Sequence, residues 1–315
     1  MSKLKKKTVK TSQSLSTRIY VHRWFYLMFL PVFIFVLLFN YLPMLGVRFA
    51  FYDYKSVGEP VFVGLKHFVA LLKKDAFWSA FSNTIEISVV KLLLNTFIAV
   101  IISLLLNEIF NLNAKKFLQT LIYLPHFLSW VVTASVFQLI LSPYGEGLVN
   151  ALLVSVGIIE EGKGIYFLAD KTWWRPVYYI INVWKETGWG TILYLATLAG
   201  ISPDLYEAAQ IDGADRFKRI LYITMPSLAG TIITVLILNL AKIMNLFESV
   251  FVLYNPAVIE QADVIQTYIY RQTFGQGMPN YGYTTAVGLI NSLVACVLVL
   301  ACNYASKKVR GRGIV

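Results

Sequence analysis

Four polar residues interrupt the apolar run after Pro226 at steps of three: Asn239, Lys242, Asn245 and Glu248. Such steps keep side chains near one face of a helix, so the pattern predicts a polar stripe on an otherwise apolar helix. A second pair, Lys185-Glu186, sits inside the apolar run between Pro176 and Gly200. Ionisable groups within a bilayer-spanning helix are costly and face protein or water, so these six are the expected lining of a polar path. A structural ion pair, or a bond to a partner chain, is the competing use of any one of them. Bond-making chemistry finds no support. His22, His67 and His126 are scattered, Cys296 and Cys302 lie in the last apolar run, and neither set has metal-ligand spacing. No Ser/His/Asp arrangement has a nucleophile-elbow context. The expected work is binding and conformational change, with no catalytic residue and no metal.

The longest polar stretch between two very apolar ones is 202–226. Ser202 is placed to cap a helix, and Pro203 sits where a missing N–H costs nothing. Asp204 and Glu207 put negative charge near the positive end of that helix. Asp212-Gly213 predicts a sharp turn. Phe217, Ile220 and Leu221 then recur at helical spacing, with Arg216, Lys218 and Arg219 on the other faces. The reading is two short helices around a turn, with Pro226 opening the next apolar run.

Glu207-Ala208-Ala209, Asp212-Gly213-Ala214, Phe217 and Ile223-Thr224-Met225-Pro226 resemble the EAA loop of the integral-membrane subunits of ABC importers, with Met225 where that pattern has Leu. Gly64-Leu65-x-x-Phe68, Phe77-Trp78 and Asn83-Thr84 resemble, more loosely, the segment after the first span of the carbohydrate-uptake members, maltose-type and complex-oligosaccharide permeases. The resemblance implies a type I importer permease fold with a cytoplasmic coupling helix between spans 4 and 5. Glu207 would contact an ATPase, Ala208 and Ala209 would allow close helix approach, and Asp212-Gly213 would set the turn. Phe217 would pack against the membrane-proximal helices. It also implies the partners: a second, homologous permease subunit, a cytoplasmic ATPase dimer and an extracellular solute-binding lipoprotein, with an oligosaccharide as cargo. No P-loop pattern occurs, so this chain carries no cofactor, and ATP and magnesium belong on the partner ATPase. Two alternatives stay open: the same fold importing another polar solute such as a polyamine or phosphate, and a secondary carrier driven by an ion gradient.

The elements that must position these residues follow from composition. The chain is 57% hydrophobic and 14% charged, against about 25% charged in soluble domains. It is expected to be an all-α polytopic membrane protein with six spans, near 24–46, 84–106, 117–141, 176–200, 227–253 and 284–304. A basic leader over 1–23 and a basic tail over 307–315 would flank a transmembrane domain over 24–306. The net charge of +11 fits membrane lipid rather than nucleic acid, because Lys and Arg crowd the chain ends and short loops beside apolar runs. They concentrate in the leader, Lys115-Lys116, Arg216–Arg219 and the tail, and thin out in the longer intervening loops. Both termini and the 202–226 loop are therefore expected in the cytoplasm, and the resemblance implies that the membrane is a bacterial cytoplasmic membrane. Trp173, Trp174, Tyr178, Tyr179, Trp184 and Trp189 suit an interfacial aromatic belt better than sugar stacking.

Overall fold

The structure is a computed structural model and describes residues 19–53, 59–143, 147–240, 242–275 and 279–310. Most of the basic leader and half of the tail lie outside them. Contacts divide the chain into two compact units, one up to Phe49 and one from Ala50 onward.

The first unit holds α1 (Arg23–Val36), which continues through a π turn at Leu37–Tyr41 and a last helical turn at Leu42–Met44. None of α1 is buried. A helix apolar on every face cannot stand in water, but it is what hydrocarbon favours, since all its backbone groups are paired internally.

The second unit opens with a two-strand hairpin, β1 (Tyr52–Asp53) antiparallel to β2 (Val61–Phe62), and a short helix α2 (Lys66–Leu72). The long helix α3 (Asp75–Asn107) follows, its 33 residues spanning about 50 Å. Next come α4 (Leu112–Tyr123), α5 (Trp130–Ile140), α6 (Leu148–Ser155) and α7 (Trp174–Leu198). Then α8 (Pro203–Ile211) leads into α9 (Arg216–Leu240). The last elements are α10 (Glu248–Phe251), α11 (Ile259–Ala262), α12 (Ile265–Phe274) and α13 (Tyr281–Arg310).

The run Arg23–Phe51, α3, α9 and the Tyr281–Lys308 part of α13 are each long and apolar enough to span a bilayer. The α4–α5 pair makes a fifth span if its sharp bend of 102° is counted within one crossing. Pro125 causes the bend. It lacks an N–H and clashes with the preceding turn, so α4 tightens into a 3-10 corner at Leu124–Phe127. Ser129 then restarts the helix, its Oγ accepting from Val132 N at 3.2 Å. The expected fourth span, α7, is long enough but too polar to pass the same measure. One side of it is covered by protein, where Trp174, Tyr178, Lys185, Thr191 and Tyr194 are buried, while Ile180, Trp184, Trp189 and Leu193 form an exposed apolar stripe on the other. Polar groups are tolerated on the covered side, and apolar surface is needed only on the exposed one.

Three buried clusters hold the unit together. One joins Ile87 of α3, Trp174 and Tyr178 of α7 and Val250 of α10. A second joins Leu71, Phe77, Tyr268 and Tyr283. The third joins Ala99 and Val100 of α3, Tyr194 of α7 and Leu228 of α9. Trp174 and Tyr178 stack at 5.2 Å inside the first, with Trp174 Nε1 donating to Leu253 O at 3.0 Å. These two rings are core, not belt. Outside the spans, Asp263 bonds Thr267 and Arg271, yet burial raises its carboxyl from the ordinary aspartate value.

Candidate functional site

Two features stand out, an exposed elbow and a polar cavity, and one helix joins them. The elbow is α8 and its turn. Pro203 opens α8, and Ser202 Oγ accepts from Asp204 N at 3.4 Å. Gly213 closes it at φ +75, a left-handed conformation that only glycine adopts without penalty. Ala214 N reaches back to Ala209 O at 2.9 Å. Asp215 then caps the next helix, its Oδ1 accepting from Lys218 N at 2.7 Å. Glu207, Ala208, Asp212 and Gly213 are exposed, while Ala209 is half-buried on the inner face. Ile211 is 86% and Phe217 72% exposed.

Two expectations need correction. Phe217 is 72% exposed on the flank of the elbow and is not covered by the described helices of this chain. The second short helix is not separate either. It runs on through a π turn at Ile220–Thr224 and past Pro226 to form α9. Pro226 is tolerated because the wider turn before it accommodates the missing N–H. Elbow and α9 are fastened where Tyr206 and Thr224 hydroxyls meet at 3.0 Å. Higher up, Thr231 of α9 meets Thr197 of α7 at 2.9 Å.

At its far end α9 stops at Leu240, although the sequence there has neither Gly nor Pro. Turn bonds replace the helix: Ile243 N to Leu240 O at 3.0 Å and Asn245 N to Lys242 O at 2.9 Å. Ser88 Oγ of α3 donates to Ile243 O at 2.6 Å, and Gln266 Nε2 donates to Asn245 Oδ1 at 3.0 Å. Irregular backbone at membrane depth survives only inside protein or beside a wet cavity. Here it lines a cavity of about 660 Å³, within the range of ligand-sized pockets. The other walls are α3, the corner after α4, and α7. Along α3 the cavity lies between the first and third buried clusters.

Of the six expected path residues, Glu186, Asn239, Lys242 and Asn245 line this cavity. Lys185 stands behind the wall, 4% exposed, its Nζ donating to His126 O at 3.1 Å and lying 3.7 Å from Glu186 Oε1. Glu248 begins α10 and is not among the lining residues. The polar stripe is thus not one helical face, because the helix ends in its midst; a turn brings three of its four members to the same space.

Sequence reasoning left out Lys91, Asn95 and His126, which also line it. His126 stacks on Trp189 at 5.2 Å and 16°, with Nδ1 3.2 Å from Glu186 Oε2, close enough for an ion pair but not aligned as a hydrogen bond. Trp189, expected in the belt, lines the cavity instead. Lys91 carried the same signal as Lys185, a charge inside an apolar run. His126 carried none, because only the proline corner turns it inward. Asn95 Nδ2 donates to Asn182 Oδ1 at 2.9 Å, while the buried atoms Asn95 Oδ1, Thr187 Oγ1 and Tyr194 OH have no partner among the described residues. Buried polar atoms left unpaired cost about 1–3 kcal/mol each; Thr187 and Tyr194 are buried in the cavity wall rather than open to its space.

Residues 95–311 match the family described as binding-protein-dependent transport system inner membrane component. The chain belongs to this family. It is 39% identical, over 93% of its length and 90% of the relative's, to the polygalacturonan/rhamnogalacturonan transport system permease protein YteP of Bacillus subtilis (strain 168). It is 31% identical, over 78% of its length and 82% of the relative's, to the lactose transport system permease protein LacF of Rhizobium radiobacter. Among solved structures it superposes with TM-score 0.87 and 38% identity on a chain of a bacterial alginate ABC transporter in complex with alginate pentasaccharide-bound periplasmic protein. That match covers 96% of this chain and 100% of the other. The fold is therefore the type I importer permease fold, and the chain is a transport component rather than an enzyme. The family match takes in the elbow and most of the cavity wall, but begins beyond Ser88 and Lys91.

Proposed function

We propose that this chain is a translocation subunit of an ATP-driven importer that carries oligosaccharides across a bacterial cytoplasmic membrane by alternating access. The observation that carries the reading is the single helix α9, fastened to the elbow by Tyr206 and Thr224 and ending in the cavity wall at Asn239. The relatives named for polygalacturonan, lactose and alginate support a sugar cargo. So does the amide-bearing lining of the cavity, Asn239 and Asn245.

In this reading the elbow and both chain ends face the cytoplasm. Glu207 and the exposed side of α8 dock on a separate ATPase, one of a pair that holds ATP and magnesium. A second permease subunit completes the pathway, and a solute-binding protein delivers cargo from outside. Closure of the ATPases moves α8, and the Tyr206–Thr224 bond passes the movement to α9. Thr231–Thr197 hands it on to α7, so two walls of the cavity shift together. ATP biases the equilibrium because the ATPase pair grips the elbow more tightly in one state than in the other. Glu186, Asn239, Lys242 and Asn245 form the passage, with the two asparagines meeting cargo hydroxyls.

Reconstitution of the full complex tests this. Gly213→Pro, which forbids φ +75 because proline fixes φ near −65°, should abolish ATP-driven uptake while the complex still assembles. Uptake that persists in this variant, or uptake driven by an ion gradient without ATP, would overturn the proposal.

A further inference from the structure

The charge inside the cavity is lopsided. Glu186 is its one carboxylate among the described lining residues, and that group is already engaged, by Lys185 Nζ at 3.7 Å and His126 Nδ1 at 3.2 Å. Lys91 and Lys242 also line the cavity, and neither has an Asp or Glu oxygen within 4.0 Å among the described residues. Some cations elsewhere in the second unit have such partners, Arg175 with Glu86, Lys171 with Glu260 and Arg271 with Asp263, and several exposed ones, such as Lys73, Lys116 and Lys218, have none among the described residues. What sets Lys91 apart is its depth. Lys91 sits at the midpoint of α3, far from either end of the span, where a bare ammonium is strongly disfavoured.

Resting on the importer reading above, we propose that the cargo is an anionic oligosaccharide, and that Lys91 and Lys242 recognise acid groups carried on its sugar rings. Each ring acid entering the cavity supplies the negative charge that the two ammonium groups lack, so attraction is gained where a neutral sugar leaves both cations bare. A lysine ammonium is a point charge without the planar fork of arginine, so it attracts a carboxylate or a sulfate ester alike. The neutral groups around it, Asn239 and Asn245, meet the hydroxyls and set the register of the rings. Selectivity thus comes from the missing counter-charge rather than from the hydrogen-bonding groups, which any oligosaccharide satisfies.

Equilibrium binding to the purified complex, without the solute-binding protein, tests this with three trisaccharides of matched length: an oligogalacturonate, its carboxyl-reduced neutral counterpart and a sulfated analogue. The acidic sugars should bind at least about 10-fold tighter than the neutral one, with a preference that shrinks as salt rises. Lys91→Gln and Lys242→Gln should each cut that ratio several-fold, whereas Lys163→Gln, an exposed charge paired with Glu160 outside the cavity, should leave it unchanged. Whichever acid binds tighter names the source of the charge. An unchanged ratio in Lys91→Gln would overturn the proposal and assign that lysine to a carboxylate of the second permease subunit; tighter neutral binding would overturn it outright. Neutral oligosaccharides taken up with ATP and without acid preference would sink this inference alone. Absence of ATP-driven uptake of any sugar would sink the importer reading instead.

Discussion

The elbow and the cavity are built in opposite ways. The elbow is assembled from the consecutive residues Ser202 to Asp215 by local rules: a serine cap, a proline at the first turn, a glycine in the left-handed region and an aspartate that starts the next helix. Its outer face is exposed and its backbone leaves room around it. The cavity gathers residues from Ser88 to Asn245, and its defining irregularity, the break after Leu240, is held by Ser88 and Gln266 from distant helices. A part that must fit an external engine is written locally and left open. A part that must hold cargo is written by tertiary contact and packed tightly around its walls.

That contrast can be broken at several points. The largest effect should come from reversing charge on the elbow. Glu207→Lys is expected to reduce ATP-driven uptake by 100-fold or more while leaving cargo affinity of the cavity within about twofold, measured by flux and by equilibrium binding on the same preparation. Proportional loss of both would mean that the elbow also shapes the cavity.

Adding one methyl should separate the two regions next. A Cβ at Gly188 would fall 2.3 Å from Ile122 O, where α7 presses on the broken span. Gly188→Ala should therefore cost about 1–3 kcal/mol through overpacking, seen as a lower melting temperature of the purified complex. At Gly213 nothing lies within 4 Å of the same methyl, so Gly213→Ala should cost only the left-handed backbone penalty, about 1–2 kcal/mol. A larger loss at Gly213 than at Gly188 would reverse the comparison.

The smallest effect concerns the fastening between them. Tyr206→Phe removes the hydroxyl contact with Thr224 and keeps the ring. Losing a net hydrogen bond of about 1 kcal/mol should loosen the elbow from α9 and lower the sugar moved per ATP hydrolysed, with the melting temperature falling by no more than a few degrees. Equal coupling in this variant would move the transmission route to the backbone of the turn.

The same contrast explains what the sequence made legible. Glu207 to Gly213 could be read directly, because cap, turn and charge are properties of neighbouring residues. Pro125 likewise marked the broken span. The end of α9 at Leu240 could not be read, since no local breaker stands there and the stabilising partners lie more than twenty residues away or on another helix. That break is why Asn239, Lys242 and Asn245 reach the cavity while Glu248 does not. Phe217 misled for a related reason: an apolar residue in a loop reads as buried, yet the elbow keeps it outward. His126 depended on the corner made by Pro125, and α7 read as an ordinary span although its polar residues are covered by protein.

The account turns on α9 carrying movement from elbow to cavity, and one measurement addresses it. With Cys296 and Cys302 replaced by Ala, Asn239→Cys places a thiol on the cavity wall, and its rate of modification by a membrane-impermeant reagent is followed from each side of proteoliposomes. Adding a non-hydrolysable ATP analogue should switch the side from which the thiol reacts, and Glu207→Lys should abolish the switch. A thiol whose accessible side ignores nucleotide, or still switches in Glu207→Lys, would contradict the account.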